Sequence, residues 1–160
     1  MIHLNAVSKS FNGHEVVRNL TLKIGPGEIY GLLGANGAGK STTINMLLGF
    51  LRADSGTVQI KEIDVGSHPI KTRKHIGYIP ENVNLYPYLS GVENLDYFCG
   101  LAKIKYDHSQ LVEFLSTCGL QKDAHTKRVA QYSKGMRQKV AIAIAYAKKA
   151  EVYLLDEPAS

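Results

Sequence analysis

The segment Gly34-Ala35-Asn36-Gly37-Ala38-Gly39-Lys40-Ser41 constrains the fold more than any other part of the chain. It matches G-x-x-x-x-G-K-[ST], and Thr42 follows it. Glycines at these spacings let backbone N–H groups turn inward and wrap an anion such as a phosphate. A helix that starts at the end of the loop points its positive end at the same anion. Lys40 is placed to reach phosphate oxygens, and the Ser41 hydroxyl to ligate Mg²⁺. Such a loop belongs between a buried strand and an amphipathic helix. Residues 29–33, Ile29-Tyr30-Gly31-Leu32-Leu33, are an apolar run that predicts a strand buried on both faces. Residues 41–51 predict a helix with Ile44, Leu47, Leu48 and Leu51 on one face.

Around this unit the pattern alternates between strands and helices. Residues 1–8 and 16–24 predict two strands joined by the hairpin turn Asn12-Gly13. In the second, Val17, Leu20, Leu22 and Ile24 are the apolar positions. Gly25-Pro26-Gly27 marks a further turn, and Asp54-Ser55-Gly56 closes the unit. Residues 58–60, 63–65 and 76–79 predict short strands, the last stopped by Pro80. From residue 81 to about 130 strand character disappears, and residues 92–101 and 110–118 predict helices. Ser133 is a plausible N-cap for a helix running to Lys149, with Lys148 and Lys149 complementing its dipole. Residues 152–155 predict a final buried strand that ends in Asp156-Glu157. Open α/β sheets bind ligands at the carboxyl ends of their strands. Asp156 is there to hold Mg²⁺, and Glu157 to deprotonate a water attacking a terminal phosphate.

Composition narrows the class. A chain of 160 residues, 44% hydrophobic, buries a core without disulfides or a structural metal. The net charge of +5 admits an anionic ligand, a membrane surface or nucleic acid. Basic residues form no run beyond pairs such as Lys148-Lys149, so no nucleic-acid partner is expected. No apolar run approaches the roughly 18–20 residues needed to span a bilayer. The longest, 141–147, suits a buried helix, and the N-terminus carries no secretory pattern, so a cytoplasmic location is expected. Cys99 and Cys118 are expected as buried free thiols, and the six histidines lack metal-ligand spacing.

Between the phosphate loop and the acidic pair lies Tyr132-Ser133-Lys134-Gly135-Met136-Arg137-Gln138-Lys139. The three segments, in this order, resemble those of ABC-type ATPases, the ATP-binding subunits of ABC transporters. Ile76-Gly77-Tyr78-Ile79-Pro80-Glu81 is similar to the strand and loop that carry the family's glutamine, with Glu81 in that place. Phe11, after Lys9-Ser10, matches the aromatic that stacks on adenine. The resemblance implies an α/β fold: a P-loop NTPase core with a mainly parallel sheet, N-terminal antiparallel β-strands and an inserted helical subdomain. It implies one incomplete nucleotide-binding domain over 1–160. Residues 1–80 and 150–160 would form the nucleotide-binding core, and 81–149 the helical subdomain with the signature segment.

Carried onto this chain, the resemblance puts ATP on Gly34, Ala35, Asn36, Gly37, Ala38, Gly39, Lys40, Ser41 and Thr42, with Lys40 on the β- and γ-oxygens. Ser41, Asp156 and Glu81 would serve Mg²⁺, and Glu157 would be the general base. Ser133 and Gly135 would contact the γ-phosphate held by a second copy in a head-to-tail dimer. The helical region would face an integral-membrane permease, with Leu85-Tyr86-Pro87-Tyr88-Leu89 as a docking patch, and the subunit would sit peripherally on the inner face of the membrane. Glu81 and the Tyr-Ser-Lys-Gly-Met signature resemble bacterial exporter-type subunits. The family's switch histidine and the strands after the acidic pair are absent from these 160 residues, which suggests a fragment, or the product of a disrupted gene, that hydrolyses ATP poorly alone. Alternatives are a nucleotide-binding module without turnover and a non-transport ABC-type ATPase, in DNA repair or translation. A small-molecule kinase or GTPase is more distant.

Overall fold

The computed structural model describes residues 1–35 and 37–156. The chain divides into two compact units, Met1–Ile76 and Gly77–Ser160.

The first unit is built on a hairpin. β1 (Ile2–Phe11) and β2 (His14–Ile24) pair antiparallel from Ile2↔Ile24 to Phe11↔His14. Asn12 and Gly13 both take positive φ, 49° and 81°, the geometry a tight two-residue hairpin demands. β1 also pairs with β3 (Ser55–Ile60), which pairs with β4 (Ile63–Asp64), giving the order β2-β1-β3-β4. β1 has a partner on each side, and its inward residues Leu4 and Val7 are fully buried. Apolar positions in β2 change parity between Val17 and Leu20. A register shift and Asn19 at φ 43° absorb the extra residue, so that both stay off the solvent face.

α1 (Lys40–Leu47) lies against β2 and β3 and buries Thr43, Met46 and Leu47. It is shorter than the sequence predicts, and Ile44 and Leu51 are only half-buried. Its continuation is cut by Gly49 at φ 68°, where a Cβ would stand 2.7 Å from Pro69 Cβ. Pro69 opens the short α2 (Pro69–Arg73). Residues 29–33 depart further from expectation. They form no strand, and Ile29 and Leu33 are 101% and 92% exposed. A strand exists only where neighbours take its N–H and C=O groups. Among the described residues no strand pairs with this run.

In the second unit β5 (Ile76–Ile79) neighbours β6 (Val152–Leu155), and Asp156 N donates to Ile79 O at 3.0 Å. A helical connection separates them: α3 (Gly91–Leu101), α4 (His108–Thr117) and α5 (Lys134–Ala147). Such a crossover is what parallel strands require. Each long helix starts at a side-chain cap. Ser90 and Glu93 form a capping box on α3, Asp107 and Gln110 one on α4, and Ser133 Oγ accepts from Met136 N on α5. The Asp107 box explains why α4 begins two residues before the apolar pattern does. α5 ends at Ala147 rather than Lys149, since Lys149 takes φ 54°. β6 is not buried on both faces: Val152 and Leu154 point inward while Tyr153 and Leu155 are exposed. Cys99 is buried, but Cys118 is only half-buried.

The helices share a core of Val92, Leu95, Leu111, Leu115, Val129 and Val140. Within it Asn94 is fully buried and ties down the preceding loop. Its Oδ1 accepts from Tyr86 N at 2.8 Å, and its Nδ2 donates to Tyr86 O at 3.1 Å and Ser90 O at 2.9 Å. The same loop is joined to the chain before α5: Val129 N donates to Leu89 O and Ala130 N to Pro87 O, both at 2.9 Å. Replacing Asn94 by Ala leaves these buried groups unpaired, at a cost of about 1–3 kcal/mol. A lower denaturant midpoint with an unchanged slope is the expected reading.

Candidate functional site

In the first unit the phosphate loop closes on itself and on β2. Ala38 N donates to Ala35 O at 3.1 Å. Gly37 and Gly39 take φ 85° and 84°. At Gly39 this is a steric necessity, because a Cβ would lie 2.7 Å from Val16 O. Gly39 is also the N-cap of α1, and α1 has no side-chain cap. Its first N–H groups therefore have no side-chain acceptor, the arrangement that accepts an anion at a helix start. Lys40 Nζ donates to Gly34 O at 2.6 Å and Ala35 O at 3.2 Å, which holds the ammonium on the loop. Thr43 Oγ1 donates to Gly39 O at 2.9 Å and locks the turn from below. Loop and strand together line a cleft of about 210 Å³, bounded by Val16, Val17, Leu33, Ala38, Gly39 and Lys40.

The remaining predicted residues of this unit fall as follows. Ser41 is exposed and Thr42 half-buried, both in the first turn of α1. Gly34, Ala35 and Ala38 are exposed. Phe11 ends β1 at the hairpin turn and is 44% exposed. Asn36 lies outside the described residues.

In the second unit Asp156 directly follows β6, half-buried, with its N–H on Ile79 O. The Tyr78 hydroxyl approaches Asp156 Oδ2 at 3.4 Å. Burial first, and the Asp156 charge second, push the Tyr78 hydroxyl above the usual phenol range. Glu81 is half-buried, two residues past the end of β5. Ser133 and Gly135 are exposed at the start of α5, and a Cβ on Gly135 would meet nothing within 4 Å. Glu157 lies outside the described residues.

Sequence reasoning missed two groups. Tyr78 faces Asp156 because β5 and β6 are neighbours; its signal was its position one residue before the end of β5. Lys9 and Asp54, which meet beside Phe11, are too far apart in sequence for any local pattern to join them.

The donor chemistry suits Mg²⁺. Among the described residues no three His, Cys, Asp or Glu side chains gather as a metal cage. Mg²⁺ needs none, since it takes one or two protein oxygens and completes its shell from phosphates and water. Ser41 and Asp156 each offer such oxygens. Among the described residues no helix is long and apolar enough to cross a membrane.

A glycine-rich loop at a helix N-terminus, a strand ending in Asp156, and an exposed serine-capped helix define a nucleoside-triphosphatase architecture. The comparisons make it specific. The ABC transporter family profile matches residues 17–160, so the chain belongs to that family. It is 36% identical over 158 residues to an uncharacterized ABC transporter ATP-binding protein, YdbJ, of Bacillus subtilis, covering 99% of this chain and 51% of that protein. The linearmycin resistance ATP-binding protein LnrL of the same organism is 32% identical, over 99% of this chain and 51% of LnrL. The spermidine/putrescine import ATP-binding protein PotA of Fusobacterium nucleatum is 34% identical, over 99% of this chain and 42% of PotA. The chain thus spans about half the length of the curated relatives it matches. The ATP-binding cassette MJ0796, solved as a dimer in a post-hydrolysis state with ADP and Pi, superimposes with a TM-score of 0.86 at 26% identity. That match covers 99% of this chain and 75% of MJ0796. The fold is that of the ABC ATPases: a P-loop core, an antiparallel N-terminal sheet, parallel strands and inserted helices.

The role of Gly39 is testable without nucleotide. Gly39→Ala forces a left-handed Cβ against the Val16 carbonyl, so stability falls by at least about 1–2 kcal/mol. Urea unfolding reads this, and Gly31→Ala, where a Cβ meets nothing within 4 Å, serves as the control.

Proposed function

We propose that the chain is the ATP-binding part of an ABC transporter subunit that hydrolyses ATP to drive an integral-membrane permease. The observation that carries this reading is the start of α1. There the left-handed Gly39, the uncapped helix N-terminus and the Lys40 ammonium converge on one loop. Residues 34–42 cradle the triphosphate, with Lys40 on the β/γ oxygens, and Phe11 stacks on the adenine. Ser41, Asp156 and Glu81 are the residues that the family resemblance assigns to Mg²⁺, which when bound would neutralise charge on the phosphates. Glu157 takes the proton of the attacking water. Residues 1–80 and 150–160 serve as the nucleotide-binding core, and 81–149 as the helical subdomain.

Ser133 and Gly135 act in trans, on ATP held by a second copy in a head-to-tail dimer. Two features support this. Both residues are exposed, and Ser133 Oγ accepts from Met136 N, which leaves its hydroxyl proton to donate outward. The dimeric state of MJ0796 adds to it. The permease contact is the loop of residues 85–89, where Tyr86 and Tyr88 are exposed while Leu85 packs on the helical core. The subunit then lies peripherally on the inner membrane face. Export is the favoured direction, on Glu81, the signature variant and the likeness to a resistance protein; PotA, of comparable identity, is an importer component.

Lys40→Ala removes a charge-assisted contact to phosphate worth about 1.5–3 kcal/mol, so ATP binds roughly ten- to a hundred-fold more weakly. Isothermal titration with MgATP measures it, and an unchanged affinity overturns the site. Glu157→Gln keeps ATP binding and removes turnover; retained phosphate release under saturating MgATP rules out the general base.

A further inference from the structure

Lys9 and Phe11 are two residues apart on β1, so both side chains stand on the same face of the strand. The Lys9 ammonium lies 5.5 Å from the Phe11 ring centroid, over its face. Lys9 is itself fixed from the other side. Its Nζ donates to Asp54 Oδ1 at 2.5 Å, with the lysine side chain only 14% exposed. Asp54 is held in turn by the end of β1. Its Oδ2 accepts from Ser10 N at 2.8 Å, and its N–H donates to Ser8 O at 2.9 Å. The bond from Lys9 and the backbone bond from Ser10 hold the Asp54 carboxyl below the usual range. Asp54, Lys9 and Phe11 thus form a chain from the lead-in of β3 to the exposed end of the hairpin.

We infer that Lys9, anchored by Asp54, is a positioning residue that orients Phe11 as a one-sided platform for the adenine base. This rests on the reading of Phe11 as the stacking residue. A half-exposed phenylalanine beside a hairpin turn samples several rotamers, and ordering it on binding costs affinity. A cation over one face holds the ring and covers that face, which leaves the opposite face for the base. The contacts of Lys9 are to Asp54 and to the Phe11 ring, away from the loop of residues 34–41 in sequence. Its effect must therefore appear in base recognition and not in triphosphate recognition.

The test compares MgATP with magnesium tripolyphosphate, which has the phosphates and no base, by isothermal titration of the same chain. The quantity read is the preference for ATP over tripolyphosphate. Phe11→Ala lowers that preference at least about five-fold, the loss of one base stack. Lys9→Met lowers it about two- to five-fold, the scale of one exposed cation–π contact, with tripolyphosphate affinity unchanged. Lys9→Arg, which keeps a cation over the ring and an ion pair to Asp54, restores it. Asp54→Asn shifts it in the same direction as Lys9→Met. If Phe11→Ala lowers the preference and Lys9→Met does not, the inference falls and the stacking role stands. If Phe11→Ala changes nothing, the stacking role falls and takes the inference with it. Equal weakening of both ligands by Lys9→Met means that Lys9 serves only the fold, which overturns the inference.

Discussion

The approach of Gly39 to the Val16 carbonyl is the contact on which the first unit depends. The loop needs its last glycine left-handed to turn into α1, and that same residue touches the backbone of β2. Any side chain there separates helix from hairpin. The hairpin that receives the loop is paired on its far side, because β1 lies between β2 and β3. Its register shifts and the left-handed Asn19 let β2 present the Val16 carbonyl to the loop and still keep Leu20 and Leu22 off the solvent face. The turn into α1 and the packing of helix on hairpin therefore rest on one backbone contact. This is why the glycine spacing constrains so much of the fold.

The second unit solves a different problem, which is to hold an exposed helix start in a fixed place. Ser133 and Gly135 are on the surface, so packing on their own side chains cannot fix them. Their position comes from Tyr132, which is buried and donates to Ala124 O at 2.5 Å. A Cβ on Gly91 would stand 2.5 Å from that hydroxyl, so the first residue of α3 is shaped around it. Asn94 and the bonds from Val129 and Ala130 then tie residues 86–90 to the same segment. The exposed tyrosine loop is thereby joined through backbone hydrogen bonds to the segment that leads into α5. Such continuity is one route by which two surfaces can be coupled, and coupling itself is an energetic quantity.

Features set by local chemistry were legible in the sequence. The Asn12-Gly13 turn, the Ser133 cap and the strands 76–79 and 152–155 all follow from one or a few adjacent residues. The left-handed glycines of the loop before α1 and the place of Asp156 at the end of β6 were legible because each rests on particular residue types at fixed spacings. What was not legible depends on distant partners. The end of α1 is set by Pro69 packing on Gly49, and nothing near Leu51 announces it. The alternation of β6 reflects exposure of one face, which its apolar composition hides. Lys9 and Asp54 are joined only because Ser8 pairs with Ser55 across two strands.

Residues 29–33 show the limit of pattern reading most sharply. Their side chains are those of a strand buried on both faces, yet Ile29 and Leu33 stand in solvent. Propensity cannot make a strand, because the ladder bonds that define one belong to pairs of segments. Ile2 illustrates the converse. It is no more β-prone than Ile29, but it has Ile24 on one side and Ile60 on the other, and it is buried. The apolar pattern of a strand therefore encodes the neighbours it requires, and the conformation follows only where those neighbours are at hand. For the glycine-rich loop before α1, the segment feeding it is then the part most sensitive to which strands surround it.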